Sequence, residues 1–156
     1  MSQADRDLVA AAQQNYEFTA QFMHYGISIQ PRVVWANVEQ GRFVAEWLVT
    51  EDHIAPNGCI DEGCLGTVTD NTTAMLILSL FGPRRKSVST SISINAVAPI
   101  EPNTLVEIDC YVASMAASQP HATATFRSKS DPRRVYGIGS HTKFFKQGLA
   151  ETQPRL

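Results

Sequence analysis

The sequence predicts an α+β domain in which an antiparallel sheet wraps around one long central helix, with another helix at the N-terminus. Two observations carry this. A strongly apolar helical stretch, Thr72 to Phe81, stands in mid-chain. Around it lie many short segments that alternate in the manner of strands and are separated by turn residues. A buried helix among antiparallel strands is covered best when the sheet curls about it. The 156 residues are read as one domain, 1–156, with a helix within 1–24 and a tail over 146–156.

Ala4 to His24 reads as a helix, because Leu8, Val9, Ala12, Tyr16, Thr19 and Met23 recur at spacings of three and four. Gly26 ends it. Ile27 to Val38 reads as a strand, Gln40-Gly41 as a hairpin turn, and Arg42 to Val49 as a second strand with Phe43, Ala45 and Trp47 on one face. Thr50 to Ile60 is a loop holding His53, Pro56 and an Asn57-Gly58 turn. Asp61 stands where a helix N-cap belongs, and Phe81-Gly82-Pro83 where the central helix stops. Ser87 to Val97 alternates Val88, Thr90, Ile92, Ile94 and Ala96 against Ser89, Ser91, Ser93 and Asn95. Leu105 to Met115 follows, and Ala122 to Ser128 and Val135 to Phe145 form a last pair joined at Asp131-Pro132.

Composition narrows the function. Charged residues make up 18% and the net charge is −2, so the chain lacks the basic field that nucleic acid attracts. The three cysteines, Cys59, Cys64 and Cys110, have no metal-ligand spacing and fit a reducing, cytoplasmic compartment. No run of eighteen apolar residues occurs, so neither a membrane span nor a membrane partner is expected. Met1 to Asp7 lacks the apolar core of a secretion signal. Pro154-Arg155-Leu156 faintly resembles a peroxisomal address, and a polar tail is the simpler reading.

The most informative stretch runs from Asn57 through Asp61, Glu62, Gly63 and Gly66 to Asp70-Asn71. Asp61 and Glu62 open the helix and Asp70 lies within it. A carboxylate inside a helix that otherwise reads as buried is costly unless it is paired or functional. Glycines in a helix cost propensity, and suit a place where another backbone or a ligand comes close.

With its strand order, this stretch resembles the hotdog fold, specifically the phenylacetyl-CoA and 4-hydroxybenzoyl-CoA types of thioesterase. The similarity covers segment order from about Trp35 to Phe145. Its sharpest points are His53 at the start of the loop, Gly63 through Asp70-Asn71, Ser89 through Pro99, and Gly139-Ser140-His141-Thr142-Lys143. The resemblance implies an acyl-CoA or acyl-carrier thioester as substrate, no metal or redox cofactor, and a homodimer or dimer of dimers with its site across the interface. It implies that Asp70 is base or nucleophile and that Ser89 orients the attacking group. It also implies that the amides of Glu62 and Gly63 hold the oxyanion, which suits the unpaired N–H groups and positive dipole end of a helix start. His53 and Asn57 stand beside the substrate in this reading.

The chain departs from the family pattern at two places. Asp61 and Glu62 replace the His and first Gly of the family's His-Gly-Gly, and the loop asparagine falls on Ala55, with Asn57 two residues on. An ionised Asp61 beside the thioester oxygen opposes a developing oxyanion. Asp61 is therefore a cap, an acid or base of altered chemistry, or a brake. A dehydratase or hydratase using Asp61 or Glu62 remains an alternative, as does a non-catalytic acyl-binding protein.

Plainer readings stand beside these. Asp70 as a bonded interface carboxylate, His53 as a partner of Asp52, His141 as a structural or surface histidine, and Cys64 as a small buried hydrophobe all need no chemistry. Arg84-Arg85-Lys86 and Arg133-Arg134 read equally as solvated turn charge or as a landing site for CoA phosphates.

Overall fold

The computed structural model describes residues 1–20, 29–82 and 85–146, the Thr19 side chain excepted. His24 and Gly26, Arg84, and the tail with Pro154-Arg155-Leu156 lie outside the described residues. The elements are α1 (Gln3–Ala20), β1 (Arg32–Asn37), β2 (Arg42–Leu48), a short 3-10 turn at Glu51–His53, α2 (Glu62–Phe81), β3 (Ser87–Ala96), β4 (Leu105–Ser114), β5 (His121–Ser128) and β6 (Val135–Phe145).

The strands form one six-stranded antiparallel sheet in the order β1-β2-β4-β5-β6-β3, and it wraps α2. α2 is apolar nearly all round, as a helix must be when it is covered on several sides. Leu65, Val68, Leu76 and Ile77 are buried, as are Phe43, Ala45, Trp47, Ile108 and Phe126 of the sheet. α1 covers another side with Leu8, Ala12 and Tyr16, spaced by four so that they share one face. Each large side chain so buried contributes about 1.5–3 kcal/mol. By length and composition α2 is able to cross a membrane, yet the greater part of it is buried inside this fold. The helix is longer than its apolar run from Thr72, because it starts directly after the Asp61 cap.

Strand β1 begins at Arg32, later than the alternation suggests, and Ile29 to Pro31 are irregular. The main departure is in β3. Strict alternation sets Ser89 on the opposite face from Ile92 and Ile94. The strand instead carries a register shift between Ser89 and Ser91. Ser89 pairs with Lys143, Ile92 with His141 and Ile94 with Gly139, so all three face the helix. One extra residue in a bulge is enough to move a side chain across a sheet.

At Gly139, β6 lies close against α2. A Cβ there would collide with the Thr69 side chain, so glycine permits the close approach. On β4, the buried carboxylate of Asp109 is held by Arg42 through two 2.7 Å bonds and by Arg127 at 3.0 Å. This arrangement satisfies the charge within the sheet.

Candidate active site

Asp70 sits in the third turn of α2 with its side chain 36% exposed. Three side chains from the sheet converge on it. Ser89 Oγ lies 3.4 Å from Asp70 Oδ1 and 2.9 Å from His141 Nε2. His141 Nε2 lies 3.5 Å from the same carboxylate oxygen. Lys143 Nζ donates to Ser89 Oγ at 3.4 Å. The β3 bulge brings Ser89 to this face, and the two-residue period of β6 brings Gly139, His141 and Lys143.

His141 is fully buried, and its Nδ1 meets Thr73 Oγ1 at 2.7 Å. Burial pushes its pKa down to about 4, assisted by Lys143 and His121 and opposed by Asp70. The ring is therefore neutral at pH 7, and its contact with Asp70 is not an ion pair. Burial also lowers the pKa of Lys143, against the pull of Asp70. His121 bonds Thr142 Oγ1 at 2.8 Å on the neighbouring strand.

A cavity of about 220 Å³ opens beside this cluster. Asp70, Ser89 and Lys143 form its polar wall. Ala74, Met75 and Leu78 of α2 and Tyr16 of α1 supply apolar lining. A carboxylate, a hydroxyl and a cation at the edge of an apolar cavity are suited to orienting water against an acyl group.

The helix start forms a second region. Asp61 Oδ1 accepts from the Cys64 N–H at 3.0 Å, so its carboxylate lies against the helix amides as a cap. Its Oδ1 would lie 2.9 Å from a Cβ at Gly63. The N–H groups of Glu62 and Gly63 precede the first intrahelical bonds. A groove of about 580 Å³ passes here, lined by Asp52, His53, Pro56, Asp61 and Gly63 among others. His53 is buried, its Nδ1 accepts from the Thr50 N–H at 2.9 Å, and its ring tilts against Trp47. Asn57 Oδ1 accepts from the Cys59 N–H at 3.0 Å within its own turn. Cys64 is half-buried, and burial with Asp61 nearby raises its thiol to about 11, which leaves little thiolate at neutral pH.

The structure thus brings Asp70 and Ser89 together and places Asp61, Glu62, Gly63, His53 and Asn57 apart from them, at or beside the start of α2. Glu62 and Asp70 are eight residues apart, about 12 Å of helical rise. Arg85 stacks over Phe145 at 4.4 Å, Lys86 is exposed at the foot of β3, and Arg133 bonds Asp131 at 3.4 Å. His141 and Lys143 join the Asp70–Ser89 cluster, although neither reads as a site residue in the sequence. Their signal was the period-two spacing Gly139, His141, Lys143, with glycine marking the face nearest the helix. Among the described residues no three His, Cys, Asp or Glu side chains group as metal ligands.

No family model matches the chain, and no curated protein does. Solved structures do. Thioesterase superfamily member 2 of zebra fish superposes with a TM-score of 0.75 at 20% identity, covering 88% of this chain and 98% of that one. The PaaI protein of the E. coli phenylacetic acid degradation operon gives 0.72 at 13% identity, covering 91% and 98%. A Streptococcus mutans protein solved with acetyl-CoA bound gives 0.64 at 16% identity, covering 74% and 88%. With the sheet order and the central helix, these likenesses establish the hotdog fold for this chain.

Proposed function

We propose that the protein is a thioester hydrolase acting on an acyl-CoA or acyl-carrier substrate, with its site completed by a second copy of the chain. The observation that carries this is the placement of Asp70 on a buried helix, met by Ser89, His141 and Lys143 at the mouth of an apolar cavity. The similarity to a thioesterase superfamily structure, and to another structure solved with acetyl-CoA bound, supports the same reading.

In this reading a water donates one hydrogen to Asp70 and the other to Ser89 Oγ. Asp70 takes the proton as the water oxygen attacks the thioester carbonyl. The oxyanion accepts from the N–H groups of Glu62 and Gly63 at a helix start. The tetrahedral adduct collapses and expels the thiolate. One carbonyl cannot touch both the start of a helix and Asp70 of the same helix when about 12 Å of rise separates them. The amides therefore come from a second copy. β3 is one of the two outer strands of the sheet, and one of its edges has no partner strand among the described residues, so it supplies a place for that copy to add. Arg85 and Lys86 stand at its foot as candidates to meet CoA phosphates.

The Asp61 cap favours hydrolysis over the lyase alternative, because that carboxylate is engaged with the Cys64 amide. A panel of acyl-CoAs, with released thiol followed by a colour reagent, tests the proposal. Turnover that disappears in Asp70→Asn supports it. No thiol release from any member overturns it.

A further inference from the structure

Two cavities lie along the seam between α1 and α2, with a polar pair standing between them. The first, about 220 Å³, starts at Asp70 and passes Ala74 and Met75 to Leu78. The second, about 140 Å³, is lined by Leu8, Ala11, Ser79 and Leu80 among others. On α1, Leu8, Ala11 and Asn15 are spaced by three and four, so they form one row along the seam. Asn15 borders the first cavity and Ser79 the second, and Asn15 Nδ2 donates to Ser79 Oγ at 3.1 Å. Ser79 spends its own proton on the Met75 carbonyl at 2.6 Å, which leaves its oxygen to accept from Asn15.

We propose that the Asn15–Ser79 pair is the stop that sets acyl length. The substrate class follows as thioesters of straight-chain acids of about six to ten carbons. This rests on the reading of Asp70 as the reaction centre. An acyl chain leaving Asp70 runs beside α2 for about 12 Å before it reaches Leu78. The first cavity holds about seven water volumes, and hence about seven to ten non-hydrogen atoms. A longer chain must break the Asn15–Ser79 bond and enter a seam sealed by it. Beyond the stop, the second cavity has room for about five more atoms.

The test is kcat/KM on acetyl-, butanoyl-, hexanoyl-, octanoyl-, decanoyl-, dodecanoyl- and palmitoyl-CoA for the parent chain, Asn15→Ala and Ser79→Ala. The parent gains about fourfold per added methylene up to the stop and then falls. Its optimum lies between hexanoyl and decanoyl. Asn15→Ala moves the optimum toward dodecanoyl, and Ser79→Ala, which opens the same wall from α2, moves it in the same direction. A parent profile that climbs through palmitoyl overturns the proposal, as does an optimum that neither variant moves. If no thioester is hydrolysed, the hydrolase reading fails by itself. The stop is then read from the affinities of the same thioesters by calorimetry. A break after decanoyl that Asn15→Ala removes upholds it, and affinities rising without a break overturn it.

Discussion

His141 Nε2 lies 2.9 Å from Ser89 Oγ, and the bonds behind it fix which atom carries the proton. Thr73 donates its hydroxyl hydrogen to the Thr69 carbonyl at 2.6 Å, so its oxygen accepts from His141 Nδ1 at 2.7 Å. The neutral ring then turns a lone pair at Nε2 toward Ser89. Ser89 gives its hydrogen to that lone pair rather than to Asp70, which is farther away at 3.4 Å. With Lys143 donating to Ser89 as well, one lone pair of the serine oxygen is left for water. In the proposed hydrolysis His141 would be a positioning residue, acting through Ser89.

This arrangement gives His141 a pH signature. Its folded pKa of about 4 lies below the ordinary 6.5, so the unfolded chain takes up the proton first as pH falls. Stability is complete above pH 6.5 and drains away down to about pH 4, by up to about 3 kcal/mol. His121, Lys143 and Asp70 are the other charged or titratable groups in its surroundings. Denaturant unfolding of His141→Leu should show that part of the acid slope removed. Its turnover should fall about tenfold or more at unchanged fold, because Ser89 loses its acceptor.

Asp70→Asn should keep the fold and lower turnover by about 10²–10⁴-fold. The amide accepts no proton from water at neutral pH, and Ser89 still has His141 as its partner. Circular dichroism together with thiol release on one acyl-CoA checks both halves.

Asp61 separates a cap from a catalyst. Asp61→Ala should lose about 1 kcal/mol of stability, while Asp61→Asn should lose a few tenths, since both Asp and Asn cap well. If the anion beside the oxyanion donors acts as a brake, Asp61→Asn and Asp61→His raise turnover, by roughly tenfold for a charge that close. A collapse of turnover in either variant, with normal folding, makes Asp61 an acid or base instead.

Gly139→Ala should destabilise the chain by about 1–3 kcal/mol, because the new Cβ meets Thr69 on α2. A midpoint of urea unfolding equal to that of the parent would show that β6 yields without cost.

Much of the fold was legible because its signals are local. The spacing of Leu8, Ala12 and Tyr16, the Phe43-Ala45-Trp47 alternation and the Asp61 cap each follow from a short window of sequence. The site was legible only in part. Asp70 stood out as a charge on an apolar helix, but Ser89 looked like one of several alternating serines. What singles it out is a bulge, and a bulge depends on the pairing of β3 with β6, whose partners are some fifty residues apart. The same pairing buries His141, which has no local feature that distinguishes it from a surface histidine. The wall made by Asn15 and Ser79 is equally non-local, because each residue on its own reads as a polar position on a helix face.

The most direct test of the shared site is complementation. Glu62→Pro removes one of the proposed oxyanion N–H groups at the first helical position, where proline is tolerated. Asp61, at φ −66° and ψ 127°, already has the backbone that a residue before proline requires. Alone, Glu62→Pro should lose about 10²–10³ in turnover. Mixed in equal amounts with Asp70→Asn and allowed to exchange subunits, it should recover about a quarter of the parent rate. Half the dimers are then mixed, and each holds one intact site of two. A mixture no faster than its two components, with subunit exchange verified by mass, would contradict a site built from two chains.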